Sequence, residues 1–291
     1  MTLLALEVLW FRFIGLFFAA HSWAFALILA MVLSGISCGG FIAAKWFTKY
    51  KEADKYLFSV IACNVILVGW LYGNFEHILS FIGKLQTNTG NLSLSAFFLV
   101  FPVAMVSAII FTLLGKLTYQ IVQVETKAAG LLALANTSGG IVGSVLAAAV
   151  FIPAFGIENT FFLLCLSYVI IMILSFKKTD ITNSKANLAL SCIMGILVIF
   201  SLNSFPFGKM HNYYLTIPMQ KPLARHEKRI AISEGTNETI QYLRRSLLGK
   251  TLYHTMLTNA YSMSGTGLKS KRYMKAFVYL PVAIHPEPQS A

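Results

Sequence analysis

Charge is what this sequence has least of. Only 12% of its 291 residues are Asp, Glu, Lys or Arg, against about 25% in a soluble domain, while 57% are hydrophobic and the mean hydropathy is +0.69. That balance excludes an ordinary soluble enzyme over most of the length. Cysteine is scarce too: Cys38, Cys63, Cys165 and Cys192 all lie in apolar stretches, and none forms a CxxC pair. A disulfide framework and a zinc site are therefore unsupported, and the four read as small buried apolar residues. No basic leader precedes the first apolar run, which Glu7 and Arg12 interrupt, so the N-terminus is not a cleavable signal peptide. No RRM, KH, zinc-finger or helix-turn-helix pattern accompanies the net charge of +12, so nucleic acid is not an expected partner.

The few charges are unevenly placed. Residues 206–291 carry 12 Lys/Arg against 4 Asp/Glu, which is +8 of the net +12. The chain thus divides into a transmembrane helical block at 1–205, a linker at 206–228 and a polar tail at 229–291. A spanning helix needs about 20 mainly apolar residues. The runs 2–20, 22–44, 56–75, 94–115, 129–153, 158–176 and 187–204 are the candidates, the first and last being weakest. The expected fold is a membrane α-helical bundle of six or seven transmembrane helices, followed by a small α+β tail with an antiparallel meander. The lipid bilayer is its first partner, and the basic tail reads as a solvated surface or one meeting anionic headgroups.

Lys45, Lys49, Lys51 and Lys55 share one connection, Lys116 and Lys127 the next but one, and Lys177, Lys178 and Lys185 the next but one again. The alternate connections hold only Lys84. This regular bias places the basic connections and the N-terminus in the cytoplasm. If 187–204 spans, the tail lies outside the cytoplasm. Its basic charge and any nucleotide-type cofactor favour the cytoplasmic face, which is the side expected here.

Gly35 and Gly39 form GxxxG, and Ala135, Gly139 and Gly143 repeat at the same interval, with Gly140 and Ser144 alongside. Small faces of this kind let helices approach closely in lipid. They read as static packing, with a sliding transporter interface the alternative. Glu7 and Arg12 are ionisable groups within a span, a substrate or proton site by type. Their i,i+5 spacing sets them off a common face, and Glu7 otherwise snorkels to the interface. Asn136, Thr137 and Ser138 read as interhelical hydrogen-bond donors rather than a binding site.

In the tail, 229–234 and 239–243 alternate, with turn signals at Gly235-Thr236-Asn237 and Gly249-Lys250 and a third strand at 251–258. A three-stranded meander is expected, marginal without a surface to pack on. Gly265 and Gly267 fall in a loop at 262–267. They are not a dinucleotide fingerprint, since the spacing is wrong and no buried strand precedes them. Residues 269–284 show helical spacing, with Tyr273, Phe277 and Leu280 on one exposed apolar face and Pro281 bending or ending the helix.

Residues 234–244, Leu257-Thr258-Asn259-Ala260-Tyr261-Ser262-Met263, Arg272-Tyr273-Met274 and Tyr279-Leu280-Pro281 through Pro288 resemble the N-terminal β-domain of spermidine synthases. Ala5-Leu6-Glu7-Val8-Leu9-Trp10-Phe11-Arg12, Phe101-Pro102-Val103-Ala104 and Ala133-Leu134-Ala135-Asn136-Thr137-Ser138-Gly139-Gly140 are similar to bacterial fusions of a transporter-like half with such a domain. The resemblance implies a protein of the bacterial plasma (inner) membrane. It also implies aminopropyl transfer from decarboxylated S-adenosylmethionine to a diamine. The family's catalytic Asp and glycine-rich cofactor turn would fall beyond Ala291, so the expectation is a chain that stops before its catalytic half and is inactive alone.

Glu238, Asn259-Ala260, Met263, Met274 and Lys275 depart from the soluble family's pattern, and Lys275 is unfavourable for a dicationic substrate. Tyr273 is the one pocket residue carried over as substrate-binding. No catalytic residue, resident cofactor or metal site is expected in this chain. The other functional readings are a transporter-like half with an accessory domain, which implies a homodimer, and an anchor for a separate catalytic domain.

Overall fold

The computed structural model describes residues 1–17, 21–49, 53–85, 89–176, 185–219, 226–259 and 261–285. The chain is mostly helical. Among the described residues four helices are long and apolar enough to cross a membrane, and a small antiparallel sheet follows them. In chain order the bundle comprises α1 (Thr2–Ile14), α2 (His21–Lys49), α3 (Leu57–Leu85), α4 (Thr89–Val122), α5 (Glu125–Leu146), α6 (Ile152–Phe176) and α7 (Lys185–Asn203), with a short α8 (Lys209–Asn212). The membrane-length stretches are Ser22–Phe47, Leu57–Ile82, Leu92–Val122 and Glu125–Ser175. Lys51, Lys177 and Lys178 lie outside the described residues, as do Ala260 and 286–291.

Helix α1 is shorter than its expected span. Its 13 residues rise only about 20 Å, against a hydrocarbon core of about 30 Å. It is nevertheless the centre of the bundle. Leu6, Leu9, Trp10 and Phe13 recur at helical spacing and are all essentially inaccessible. Around Phe13 stand Phe17, Tyr72, Phe75, Phe161 and Tyr214, with ring centroids 5.0–5.7 Å away.

The α5–α6 segment folds back on itself. Gly139 and Gly143 of α5 lie on Met1, while Ser167 of α6 reaches the hydroxyl of Thr2 at 3.4 Å. A straight helix would carry Ser167 about 36 Å beyond Gly143. The reversal falls at Gly156, whose φ of 80° and ψ of 170° interrupt the helix. One turn before it, Ala147–Phe151 is π-helical.

Helix α2 packs along α4 more extensively than any other pair of elements. Gly35 and Gly39 are the contact, as expected: a Cβ on Gly35 would stand 2.8 Å from that of Ala104 and one on Gly39 2.9 Å from that of Ala108. Gly139, Gly140 and Gly143 also pack closely, but on Met1 and Leu4 of α1 rather than on a long neighbour.

The tail forms an antiparallel meander of four strands, β1 (Glu227–Glu234), β2 (Thr239–Leu247), β3 (Lys250–Thr258) and β4 (Tyr261–Gly265), in spatial order β1-β2-β3-β4. The fourth strand corrects the expected loop at 262–267. Asn259 takes a left-handed φ of 51° and opens a tight hairpin that pairs Thr258 with Tyr261. Its five residues, Tyr-Ser-Met-Ser-Gly, alternate only over Tyr261 and Met263, a signal too short to separate a strand from a loop beside Gly265 and Gly267. Leu248 and Gly249 both have positive φ and close the β2–β3 hairpin. Helix α9 (Leu268–Ile284) follows, with no buried residue; Pro281 sits in its last turn and ends it only after Ile284.

Candidate functional site

Three polar groupings stand out in an otherwise apolar molecule. The first joins sheet and bundle. The Arg12 guanidinium donates to the carbonyl oxygen of Gly235 at 2.9 Å and to the Thr239 hydroxyl at 3.4 Å. Arg12 therefore faces the sheet, not Glu7, which has no ion-pair partner among the described residues. Glu234 accepts the backbone N–H of Ile157 at 2.6 Å, immediately after the Gly156 reversal. Burial pushes the Glu234 carboxyl above the usual range, opposed by the Ile157 N–H and by His211 and Arg12. The sheet is completed against the bundle by Gln241, fully buried, which donates to the Leu215 carbonyl at 3.1 Å, and by Arg229, which donates to the His211 carbonyl at 2.7 Å.

Glu158 organises the adjoining turn. Its carboxylate accepts the Tyr72 hydroxyl at 2.9 Å and the N–H groups of Gly208 and Met210 at 2.6 and 2.8 Å. Gly208 holds a φ of 89°, a conformation disfavoured for any residue with a Cβ. Lys209 bonds Glu76 and the Gly73 carbonyl, both at 2.6 Å. These contacts bind the chain after α7 to the middle of α3, at Tyr72, Gly73 and Glu76. They form a structural junction, and beside it Gly73, Pro206 and Lys209 line a cavity of about 420 Å³ between α3 and the end of α7.

The second grouping contains the carried-over residue. Tyr273 lines a pocket of about 340 Å³ with Ser262, Ser264, Lys269, Ser270 and Met274, between β4 and α9. The ring is mostly exposed and meets Phe277 edge-on at 4.7 Å. The pocket has hydroxyls and a cation but no carboxylate. Lys275 stands exposed on the same helix.

The third lies inside the bundle. Asn64 of α3 donates to the Ser107 hydroxyl of α4 at 3.0 Å, and Ser107 shares a hydrogen bond with the Tyr168 hydroxyl of α6 at 2.9 Å. All three side chains are more than nine-tenths buried. Ser107 and Tyr168 open onto a cavity of about 300 Å³ that Asn136 enters from α5. Asn136 and Thr137 make no bond to another helix among the described residues, and Ser138 bonds its own helix at Leu134, against expectation. The reason is that α5 is peripheral: only Ala128, Gly140 and Gly143 are buried on it.

The sequence reading missed Asn64, Ser107, Tyr168 and Glu158. Each is a single polar residue in or beside an apolar run, and nothing local pairs it with its partners. Among the described residues no cluster of His, Cys, Asp and Glu suited to a metal ion occurs. No protein-family model matches the chain, and no curated protein or solved structure matches it either.

Proposed function

We propose that the chain is the membrane portion and N-terminal β-domain of a spermidine synthase-like, aminopropyltransferase-type protein. What supports this reading is the order of the tail: a meander, then a helix whose Tyr273 lines a polar pocket at the end of the last strand. The pocket offers no carboxylate to deprotonate an attacking amine, a requirement of the reaction. Decarboxylated S-adenosylmethionine would be held by a separate nucleotide-binding domain, and residues 1–291 alone would carry out no transfer. Purified 1–291, incubated with decarboxylated S-adenosylmethionine and a diamine, is expected to form no aminopropylated product. Turnover by this chain alone would overturn the reading.

We also infer a side for the tail. Lys116 lies over the Phe47 ring at 5.3 Å, so the C-terminal ends of α2 and α4 share one end of the bundle. The contacts of Arg12, in the last turn of α1, and of Ile157, near the start of α6, with the sheet fall at the other end. With the basic connections in the cytoplasm, α2, α3, α4, α5 and α6 give five passes and α7 a sixth, and the sheet lies outside. This reading is the opposite of the cytoplasmic side that the tail's charge favours. In intact cells a membrane-impermeant maleimide should label Leu248→Cys, placed in a cysteine-free background at the exposed β2–β3 turn. Labelling only after lysis would return the tail to the cytoplasm.

A transporter-like reading stands beside the first because of the buried Asn64–Ser107–Tyr168 group. Ser107 lies near the middle of α4 and Asn64 about two turns into α3, and transported substrates bind near the midplane. In that reading the block works as half of a homodimer. A monomer in detergent with no flux in vesicles would remove it.

A further inference from the structure

We propose that the cavity between α3 and α7 is a phospholipid site, with the headgroup phosphate at Lys209 and one acyl chain running down toward Ile66 and Leu197. The inference goes beyond both functional readings and requires only that the bundle lies in a bilayer.

Depth is the first argument. Gly69 of α3 faces Ser201 and Gly73 faces Pro206, so α3 and α7 run in the same direction along the groove. Leu57 opens α3 directly after the basic connection carrying Lys49 and Lys55, and Gly73 stands about 24 Å from it along the helix. A hydrocarbon core is about 30 Å thick, so Gly73 lies near its far edge. The Lys209 ammonium, 2.6 Å from the Gly73 carbonyl oxygen, is therefore at headgroup depth. Other ionisable side chains gather at the same level: Glu76 bonds Lys209, and Glu158 accepts the Tyr72 hydroxyl. Ile66 lies about 10 Å deeper along α3. The cavity thus runs from headgroup level into the acyl region.

Its lining changes with depth in the same sense. Lys209, Asn74 and Ser204 stand at the shallow end, Ile66 and Leu197 at the deep end. Lys209 is the one cation in the lining, and no Asp or Glu joins it there. An ammonium carries three N–H groups. Glu76 and the Gly73 carbonyl take two, and the third has no acceptor among the described residues, which leaves it for a phosphate oxygen. Glu76 balances the charge from outside the cavity, so the site reads the phosphodiester and does not demand a net negative headgroup. The outer wall opens to lipid: Trp70 is 57% and Phe200 68% exposed, and tryptophan favours the headgroup boundary. About 420 Å³ is within the range of small-molecule pockets, and the open wall lets the rest of both chains continue in the bilayer.

The test is photolabelling of the full chain in mild detergent, with phosphatidylethanolamine bearing a diazirine partway along one acyl chain. Label at Ile66, Leu197 and Phe200 should saturate, and unlabelled phosphatidylethanolamine and phosphatidylglycerol should both displace it. Diacylglycerol with the same chains and free glycerophosphate should each need about tenfold more or fail to displace it. Lys209→Gln should weaken the lipid's apparent affinity about tenfold, the size of one hydrogen bond to a charged group. Displacement by diacylglycerol as effective as by phospholipid would leave an apolar groove blind to phosphate. Displacement by glycerophosphate alone would make this a site for soluble phosphates. Label that does not saturate, or that falls equally on outward residues such as Phe41 and Leu134, would leave annular lipid only. Each of these outcomes overturns the proposal. Lys209 also holds Glu76, so if Lys209→Gln does not fold, the diacylglycerol comparison on the unaltered chain decides.

Discussion

Arg12 donates to the carbonyl oxygen of Gly235 at 2.9 Å, across 223 residues of sequence. A cation that reads as an intramembrane charge in search of a carboxylate is in fact the bond between the first helix and the sheet. Its Nε has no partner, so the contact rests on Nη2 alone. Arg12→Ala should cost about 1.5–3 kcal/mol, the range for a hydrogen bond to a charged group, and should loosen the sheet before the bundle. Trypsin cleavage at Arg244 and Arg245 should accelerate while the helical circular dichroism signal holds. Arg12→Lys should be intermediate, since a single ammonium has a shorter reach and no fork.

Glu234 makes the same junction sensitive to pH. Burial is the largest cause of its raised pKa, and the Ile157 N–H, His211 and Arg12 only partly offset it. A carboxyl raised in the folded state binds its proton more readily there than in the unfolded chain. Its contribution is fully present below the unfolded value of about 4.3 and is lost as pH rises through the folded value. Thermal stability of the wild type minus that of Glu234→Gln should therefore grow as pH falls from neutral toward about 4. A difference that is flat or of opposite slope would mean that the Ile157 bond to the carboxylate outweighs desolvation.

Glu158 should be the least replaceable side chain at the junction, because it alone accepts from Tyr72, Gly208 and Met210. Glu158→Ala leaves two backbone N–H groups and a hydroxyl unpaired and should cost about 3 kcal/mol or more at 1–3 kcal/mol per orphaned group. Tyr72→Phe removes a single donor and should cost about 1 kcal/mol. Denaturation of both variants in the same mild detergent gives the ratio. Similar losses would show that Glu158 works mainly through Tyr72.

What was legible in the sequence was periodic or compositional. Apolar run length marked the long helices, Gly35 and Gly39 marked a real packing seam, and the turn at Gly249 and the helix carrying Tyr273 were both where their residues put them. What was not legible was set at long range. Arg12 was weighed only against Glu7, a neighbour in sequence, although its acceptors lie on the sheet. The reversal at Gly156 hides in a continuous apolar stretch, because a glycine in a membrane helix is unremarkable until its φ is known. Strand β4 offers only Tyr261 and Met263 as an alternating pair, and Asn64, Ser107 and Tyr168 come from three separate helices. Tyr273 lines a pocket between β4 and α9, and nothing in its local pattern told exposure from packing against the meander.

The seam between α2 and α4 allows a sharp test, because adjacent glycines differ in their surroundings. A Cβ on Gly39 would press on the Met105 carbonyl and stand 2.9 Å from the Cβ of Ala108, whereas one on Gly40 would meet nothing within 4 Å. In lipid the apolar surroundings give helices no drive to associate, so close van der Waals contact holds the pair. Alanine at either position gains about 0.5–1 kcal/mol of helix preference over glycine. Gly40→Ala should keep that gain and raise the melting temperature slightly. Gly39→Ala must separate two backbones, an overpacking cost of about 1–3 kcal/mol, and should lower it. If the two variants melted together, the α2–α4 contact would be looser than the glycine spacing requires, and GxxxG at this position would be incidental to packing.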